Sequence, residues 1–258
     1  MHRDLGFLGN VSEEDKLLAA KILDNAEISE NKYTDRFTFF LDEHQQTLCR
    51  KVLASVCFEN YLLFGGYENA QRCILGIFAP YSSPDKDLFP LKAYTFSYRK
   101  ADVLTHRDFL GCLMSLGIER STVGDIIVSD GCSVVFVCDT VAVLVNGIEK
   151  VGRVGVKVTE GFDIDMIPEQ KFQDINGTVA SLRFDCVLSL ALRISREKAA
   201  ELIRSGLAEL NYSVSAATDT AVSAGDVFSA RGFGKFRLDA VGNVTKKDRL
   251  FITVKKYV

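Results

Sequence analysis

The stretch "SLRFDCVLSLALRISREKAAELIRSGLAELNYSV", residues 181–214, contains two helix patterns in immediate succession. In the first pattern, apolar side chains recur at helical spacing and form one face, made up of Phe184, Val187, Leu188, Ala191 and Leu192. The second pattern begins at Ser195, whose hydroxyl can accept from first-turn amides, and ends at Gly206, which can adopt a left-handed conformation. We therefore expect two short helices that pack against each other by their apolar faces.

Charge is distributed unevenly along the 258 residues. The net charge is −3, from 31 Lys and Arg against 34 Asp and Glu. Residues 181–258 alone hold 13 Lys and Arg against 8 Asp and Glu, an excess of +5, so the rest of the chain carries −8. This asymmetry indicates a basic module joined to acidic domains, and a basic module suits a nucleic acid as partner.

The middle of the chain alternates strand and helix patterns. "LKAYTFSY" (91–98), "GDIIVSD" (124–130), "SVVFVCD" (133–139) and "VGVKVTE" (154–160) read as strands, whereas "LTHRDFLGCLMSLGI" (104–118) and "TVAVLVNGIEKV" (140–151) read as helices. The resulting order, β-α-β-β-α-β, predicts a ferredoxin-like domain over residues 86–174. The second helix pattern is rich in β-branched residues, and a strand there would break the order.

Residues 1–85 read as a mostly helical N-terminal domain, with helices over 12–23 and 37–57, followed by a linker, "PYSSPDKDLFP" (80–90). Residues 175–258 form the third expected domain, so the fold class is α+β. Within the first domain, "GGYENAQR" (65–72) is either a tight turn or a surface that a partner approaches closely, because two glycines precede an aromatic residue.

The usual signatures of catalysis and cofactor binding are missing from the sequence. There is no phosphate-binding glycine loop and no serine-nucleophile elbow, and the three histidines have no metal-ligand spacing, so we expect neither a cofactor nor a metal. The seven cysteines form no C-x-x-C pair and suit a reducing cytoplasm. We expect no membrane span, since no apolar run is long enough, and no signal peptide.

The His-Arg-Asp triplet at 106–108 is the start of a protein-kinase catalytic loop only in appearance, since Leu113 stands where a kinase needs asparagine. We interpret it as a helix start with Thr105 as cap and Asp108 in the first turn. "RGFGKFRL" (231–238) begins like an RNA-recognition motif but departs from it at Lys235 and Phe236, and we interpret it as a basic hairpin arm.

Residues 181–238 as a whole resemble an S4 RNA-binding domain. That family pairs an Arg-Leu-Asp helix start with a Ser-Arg helix start, then has a Gly-x-Val-x-Val-Asn turn and a later Gly-Asp. This chain supplies Arg183-Phe184-Asp185, Ser195-Arg196, Gly206 through Asn211, and Gly225-Asp226. It departs from the pattern by Phe184 for leucine, Ala208 for valine, and Tyr212 where glycine often follows the asparagine.

The resemblance implies contact with RNA at the helix starts. Free amides and the positive dipole end attract phosphate there, and basic side chains add charge. Such contacts read the shape of an RNA more than its sequence. The residues expected to bind RNA are Arg183, Arg193, Ser195, Arg196, Lys198, Arg204 and Lys235.

"FLDEHQQ", "GGYENAQR", residues 104–128 and "VGVKV" extend the resemblance to the YlmH family of bacterial S4 proteins. That likeness implies a helical N-terminal region, a ferredoxin-like middle domain, a C-terminal S4 domain and no known active site. It also implies rRNA, tRNA or both as partners, with the large ribosomal subunit in ribosome-associated quality control. We expect neither DNA nor a membrane as a partner. Residues expected to touch the ribosome or a partner protein are Gly65, Gly66, Tyr67, Arg72, His106 and Arg107.

Two other functions remain open from the sequence. One is an enzyme that modifies RNA, with a site in the middle domain where His106 and Asp108 would be the first candidates. The other is an interaction protein of the cell-division apparatus, in which the acidic N-terminal half binds protein.

Overall fold

The computed structural model describes residues 12–214, 217–245 and 248–258. The chain divides into two compact units, the first ending at Pro168 and the second beginning at Glu169. Each unit combines helices with antiparallel sheets, so the mixed α and β content expected from the sequence is present. Among the residues described, no helix is long and apolar enough to span a bilayer.

The first unit contains two main sheets, ordered β1-β3-β2 and β5-β6-β4-β9, and a small β7-β8 hairpin. Its helices and strands follow in the order α1 (Glu13–Lys32), β1 (Arg36–Leu41), α2 (Glu43–Ser55), β2 (Tyr61–Phe64), β3 (Cys73–Ile77), β4 (Leu91–Ser97), α3 (His106–Ser115), β5 (Val123–Ser129), β6 (Cys132–Cys138), α4 (Ala142–Asn146), β7 (Lys150–Val151), β8 (Val154–Gly155) and β9 (Lys157–Glu160).

The N-terminal region is not mostly helical, and this prediction is wrong. "FTFFL" (37–41) lies in strand β1, and β2 and β3 complete a sheet with it. Aromatic and β-branched residues favour a strand, and here neighbouring side chains enter different cores, Phe40 on one side of the sheet and Leu41 on the other. Helix α2 begins only after Asp42, whose carboxylate accepts from the amide of Gln45 at 2.8 Å.

Residues 91–160 show the strand and helix order expected from the sequence. The stretch "TVAVLVNGI" forms a 3-10 turn followed by α4, not a strand. All neighbouring strands of the sheet β5-β6-β4-β9 are antiparallel. The hairpin β7-β8 lies between α4 and β9 and is an addition to the expected order of strands and helices.

Both faces of this four-stranded sheet are covered. Val135 and Val137 of β6 lie in a core with α3 and α4, whereas Val134 and Phe136 lie in a second core with the sheet β1-β3-β2. The far face of that three-stranded sheet packs on α1 and α2. The first unit is therefore layered as helices, sheet, sheet and helices, which explains the unbroken apolar run of β6.

The predicted linker contributes to the core between the two sheets. Phe89 is buried there, with its ring centroid 5.3 Å from that of Phe37 and 5.5 Å from that of Phe64. The predicted domain boundary at residue 85 therefore lies between two sheets of one compact unit and does not separate two units.

The second unit has one sheet, ordered β10-β15-β14-β13-β11-β12, and two helices that share a core with one of its faces. Its elements are β10 (Phe172–Val179), α5 (Phe184–Leu192), α6 (Arg196–Arg204), β11 (Ala208–Leu210), β12 (Ser213–Val214), β13 (Val227–Ala230), β14 (Gly234–Val244) and β15 (Leu250–Tyr257). The five apolar residues predicted to form one face of α5 are all buried in this core. "RGFGKF" forms the turn and first residues of the β13-β14 hairpin, as predicted.

Candidate nucleic-acid interface

The two helix starts of the second unit are built as the sequence predicts. Ser195 is the N-cap of α6, and its hydroxyl accepts from the amide of Lys198 at 3.2 Å. Gly206 ends the helix with φ +68°, and its amide donates to the carbonyl of Ile203. These two caps fix where α6 begins and ends.

Two arginines converge on one buried carboxylate at these helix starts. Arg183 is the N-cap residue of α5, and Arg196 is the first residue of α6. Nε of Arg183 lies 3.3 Å from Oδ1 of Asp185, and Nε of Arg196 lies 2.9 Å from Oδ2. Asp185 is only 4% exposed. The fold thus brings the two basic helix starts together at Asp185.

The carboxylate of Asp185 is ionised and holds both guanidinium groups in place. Burial by itself would raise the pKa of Asp185, but hydrogen bonds from Arg183 and Arg196 outweigh it and bring the pKa below its ordinary value. The arginine side chains remain 41% and 54% exposed. Each guanidinium has five N–H donors, so donors remain available for a phosphate group.

Among the contacts of the described residues, the other residues expected to bind RNA make no bond to Asp185. Arg193 is exposed at the end of α5 in a left-handed conformation. Lys198 and Arg204 are exposed on α6, whose buried side is formed by other residues. Lys235 lies on the opposite face of the sheet, because the neighbouring Phe236 points into the core with the helices.

A further pair from the resemblance is also brought together by the fold. Nδ2 of Asn211 donates to Asp226 at 2.9 Å, and the amide of Val227 donates to Oδ1 of Asn211 at 3.0 Å. Asn211 and Tyr212 both have positive φ, at 48° and 62°. Tyr212 therefore adopts the left-handed conformation for which glycine is more usual, and the turn is retained.

The residues of "GGYENAQR" are engaged inside the first unit. A side chain at Gly66, where φ is +102°, would collide with the ring of Phe136. Gly65 is buried against the backbone of Arg72. Tyr67 is half-buried over Phe136, with ring centroids 5.1 Å apart. Each of these residues is used for close internal packing, which favours the tight-turn interpretation, and contact with a partner stays a prediction.

Asp125 of β5 holds this loop, and sequence reasoning did not identify it. Its carboxylate accepts from Oη of Tyr67 at 2.7 Å and from the amides of Gln71 and Arg72 at 2.7 and 3.1 Å. Burial, with the negative charge of Asp125, raises the pKa of Tyr67. The partners are more than 50 residues apart in sequence, so no local pattern indicates them.

Arg72 is also an internal residue. Its Nε donates to the carbonyl of Val123 at 2.9 Å and its Nη2 to that of Phe40 at 3.1 Å, so it joins the two sheets of the first unit. Burial lowers the pKa of this guanidinium. Arg72 is only partly buried, and its contact with a partner stays a prediction.

The start of α3 is exposed. His106 and Arg107 both face solvent there. The carboxylate of Asp108 accepts from the amide of Thr105 at 2.8 Å and from its hydroxyl at 2.7 Å, and these bonds lower the pKa of Asp108. The cap interpretation is confirmed. In the described ranges, no three His, Cys, Asp or Glu side chains form a group that could hold a metal ion.

Comparison with known proteins identifies the family. A family profile described as "Putative RNA-binding domain in YlmH" matches residues 84–163. The chain is 30% identical over 249 residues to "Ribosome-associated protein quality control protein P2" of Bacillus subtilis (strain 168), covering 95% of this chain and 96% of that one. "Cell division protein ylmH from Streptococcus pneumoniae" shares the fold, with a TM-score of 0.53 and 23% identity over 62% of this chain and 98% of that one. This chain therefore belongs to the YlmH family.

Proposed function

We propose that this protein binds structured RNA through its second unit and acts on the ribosome without catalysing a reaction. The observation that carries the proposal is the convergence of Arg183 and Arg196 on Asp185 at two adjacent helix starts. Helix starts offer amide donors and a positive dipole end, and the oriented guanidinium groups suit phosphate oxygens. The family profile whose description names RNA binding matches residues 84–163 in the first unit, so it supports RNA binding by the chain and not by the second unit in particular.

In fold terms, we propose that the second unit is an S4 domain and that residues 91–160 form a ferredoxin-like domain. The sheet order β5-β6-β4-β9 and the chain order of its elements support the latter. The contacts of Arg183 and Arg196 with Asp185, and of Asn211 with Asp226, support the former.

We further propose that the target is rRNA or tRNA on the large ribosomal subunit, in the cytoplasm, during ribosome-associated quality control. The name of the Bacillus subtilis relative supports a role of this kind. His106 and Arg107 are exposed and supply a candidate second contact from the first unit. Two linked contacts act together because the second forms at high effective concentration.

A role in binding, not in chemistry, agrees with how the candidate catalytic residues are used. The carboxylate of Asp108 caps α3 and is held by two bonds from Thr105. A catalytic use of Asp108 would compete with these two bonds, and loss of a cap costs about 1 kcal/mol of helix stability.

The RNA assignment is tested by the salt dependence of binding to a structured RNA hairpin. Arg183→Ala and Arg196→Ala should each weaken binding and reduce the slope of log K against log salt by about one unit, as expected for the loss of one phosphate contact. Arg50→Ala, which removes an exposed arginine of α2, is the matched control and should leave the slope unchanged. Unchanged slopes in the first two folded variants would contradict the proposed interface.

The ribosomal assignment is tested separately by sucrose-gradient sedimentation. The wild-type protein should co-sediment with free large subunits more than with intact ribosomes. Arg107→Ala should reduce this co-sedimentation while leaving affinity for an isolated RNA hairpin within about twofold, since multivalent binding loses one contact. Wild-type protein that stays at the top of the gradient at low salt would refute the ribosomal role and leave the RNA assignment standing.

A further inference from the structure

The six-stranded sheet of the second unit has two different faces. Side chains of a strand alternate between faces. On β14, Phe236 and Leu238 enter the core with α5 and α6, so Lys235 and Arg237 lie on the opposite face. Within the second unit, no described helix shares a core with that face.

Cross-strand pairing extends this face over β15 and β10. Arg237 pairs with Lys255, and Phe172 pairs with Tyr257, so all four side chains lie on the side away from the helices. The outer sheet face is defined here by five residues, which are Phe172, Lys235, Arg237, Lys255 and Tyr257.

Cations and aromatic rings alternate on the outer sheet face. Nζ of Lys235 lies 4.9 Å from the ring centroid of Tyr212 and 5.0 Å from that of Tyr257. The guanidinium carbon of Arg237 lies 5.3 Å from the centroid of Phe172. The rings of Phe172 and Tyr257 are themselves 5.0 Å apart. Positive charges and π-surfaces therefore occur side by side in one patch.

An acidic residue fixes two of these cations in place. Asp239 forms ion pairs with Nη2 of Arg237 at 2.8 Å and with Nζ of Lys255 at 3.0 Å. Asp174, which pairs with Lys255, lies on the same face, so two carboxylates balance these two cations and Lys235 adds a third positive charge to the patch. Phe172, which lies beneath both cations, is 37% exposed. The patch therefore keeps an exposed aromatic ring beside three cations, Lys235, Arg237 and Lys255.

We propose that the outer sheet face binds an unpaired RNA strand, with bases stacking on its rings and phosphates contacting its cations. Sequence-tolerant binding of single strands uses this combination of a basic surface with aromatic side chains. A duplex is a poor ligand for such a surface because its base faces are already stacked. The inference rests on the proposed RNA-binding function and adds a second site, on the opposite face of the sheet from Arg183 and Arg196.

The two sites are distinguished by two RNA probes and by variants of the full-length protein, each of which changes only one site. The probes are a six-nucleotide oligouridylate and a stable RNA hairpin, each with a fluorescent label for anisotropy. Phe172→Leu, which keeps apolar volume but removes the ring, should weaken oligouridylate binding about tenfold, within the range for loss of one stacked base. Arg237→Gln should weaken it about threefold to tenfold, and both should leave hairpin binding within twofold.

Phe251→Leu is the matched control. Phe251 lies on the same face of β15, is 43% exposed, and is six residues from Tyr257, about 20 Å along the strand. Its loss should leave binding of the short oligouridylate unchanged. Arg196→Ala should show the reverse selectivity, with weaker hairpin binding and nearly unchanged oligouridylate binding.

Photo-crosslinking of 4-thiouridine probes provides a measurement that does not depend on the stability of variants. Crosslinked peptides should come from the ends of β10 and β15, which contain Phe172 and Tyr257. Crosslinks confined to α5 and α6, or equal effects of Phe172→Leu and Phe251→Leu, would overturn the inference and leave the proposed function intact. Loss of subunit binding in Phe172→Leu with both RNA probes unaffected would assign the face to a protein partner and overturn it too. If the wild-type protein binds neither probe, the proposed function itself fails.

Discussion

The two large sheets of this protein differ in what covers them. The sheet β5-β6-β4-β9 has helices on one face and a second sheet on the other, so Phe136 and its neighbours are core residues. Among the described residues of the second unit, helices share a core with one face of the six-stranded sheet, and Phe172 and Tyr257 lie on the other face. Strand order alone therefore does not tell which aromatic residues of a sheet are available to a ligand.

This difference matters for residues 84–163, which match the RNA-binding profile. In RNA-recognition motifs, bases stack on aromatic residues of an open four-stranded sheet. Here the corresponding face is filled by Phe40, Ile74 and Phe78 from the N-terminal region. RNA contacts of this domain would therefore come from its helical side or its loops, where His106 and Arg107 are exposed.

The largest expected effect is on the covered sheet. Asp125→Ala removes the acceptor of Tyr67, Gln71 and Arg72 and leaves three donors without their partner. We expect the first unit to lose about 3–5 kcal/mol of unfolding free energy. Urea unfolding monitored by hydrogen exchange of β5 peptides measures it.

Asp130→Ala is the matched control, since this exposed aspartate lies just beyond the same strand. It should change the unfolding free energy by less than about 0.5 kcal/mol. Equal effects of the two substitutions would mean that the contact between the two sheets is not held by Asp125.

The second-largest expected effect concerns Asp185, the carboxylate that accepts several hydrogen bonds in the second unit as Asp125 does in the first. Asp185→Asn should destabilise the second unit by about 2–3 kcal/mol at neutral pH, because a buried ionised acceptor of two arginines is lost. The pKa of Asp185 is lowered in the folded state, so its contribution is complete above the ordinary value of 3.8 and is lost as the pH falls through the lower folded pKa.

The measurement is urea unfolding of the wild type and Asp185→Asn at pH 7, 5 and 3. The difference between them should be the same at pH 7 and 5 and smaller at pH 3. A difference in unfolding free energy that grows as the pH falls would show that folding raises the pKa of Asp185 and does not lower it.

A third, smaller effect tests directly whether the sheet β5-β6-β4-β9 is covered. A Cβ at Gly124 would lie 2.6 Å from Cε1 of Phe40 and 3.1 Å from Cβ of Phe136. Gly124→Ala should therefore destabilise the first unit by about 1–3 kcal/mol through overpacking. On an open face, alanine in a strand would be neutral or better than glycine, so a stabilised variant would contradict the layered arrangement.

The sequence predicts the second unit better than the first for a physical reason. Caps such as Ser195 and Gly206, and the apolar spacing of α5, are local signals that a short stretch contains in full. The contact between Tyr67 and Asp125 joins residues 58 positions apart, and no local pattern records it. "FTFFL" is ambiguous by itself, because a short apolar run suits a strand or a buried helix until its neighbours are known.

The outer sheet face could not be predicted from the sequence either, because its residues are distant in sequence and meet only through strand pairing. Phe172 and Tyr257 are neighbours only because β10 pairs with β15, which brings the two ends of the second unit together. Lys235 was identified as a basic residue, but its aromatic neighbours come from β15 and from the turn that contains Tyr212.

The smallest expected effect concerns α3 of the first unit. Because the other face of the sheet β5-β6-β4-β9 is covered by a second sheet, RNA or the ribosome can reach this domain only from its helical side or its loops. Gly111 lies inside α3, is exposed, and a Cβ there would meet nothing within 4 Å. Gly111→Ala should stabilise the first unit by about 0.5–1 kcal/mol, because alanine loses less backbone freedom in a helix. Thermal unfolding measures the gain, and sedimentation with large subunits supplies the second reading. If the contact at His106 and Arg107 is confined to the start of α3, subunit binding should not change. A stabilised variant with weaker subunit binding would extend the contact along α3, whereas a destabilised one would show that α3 is not exposed at Gly111.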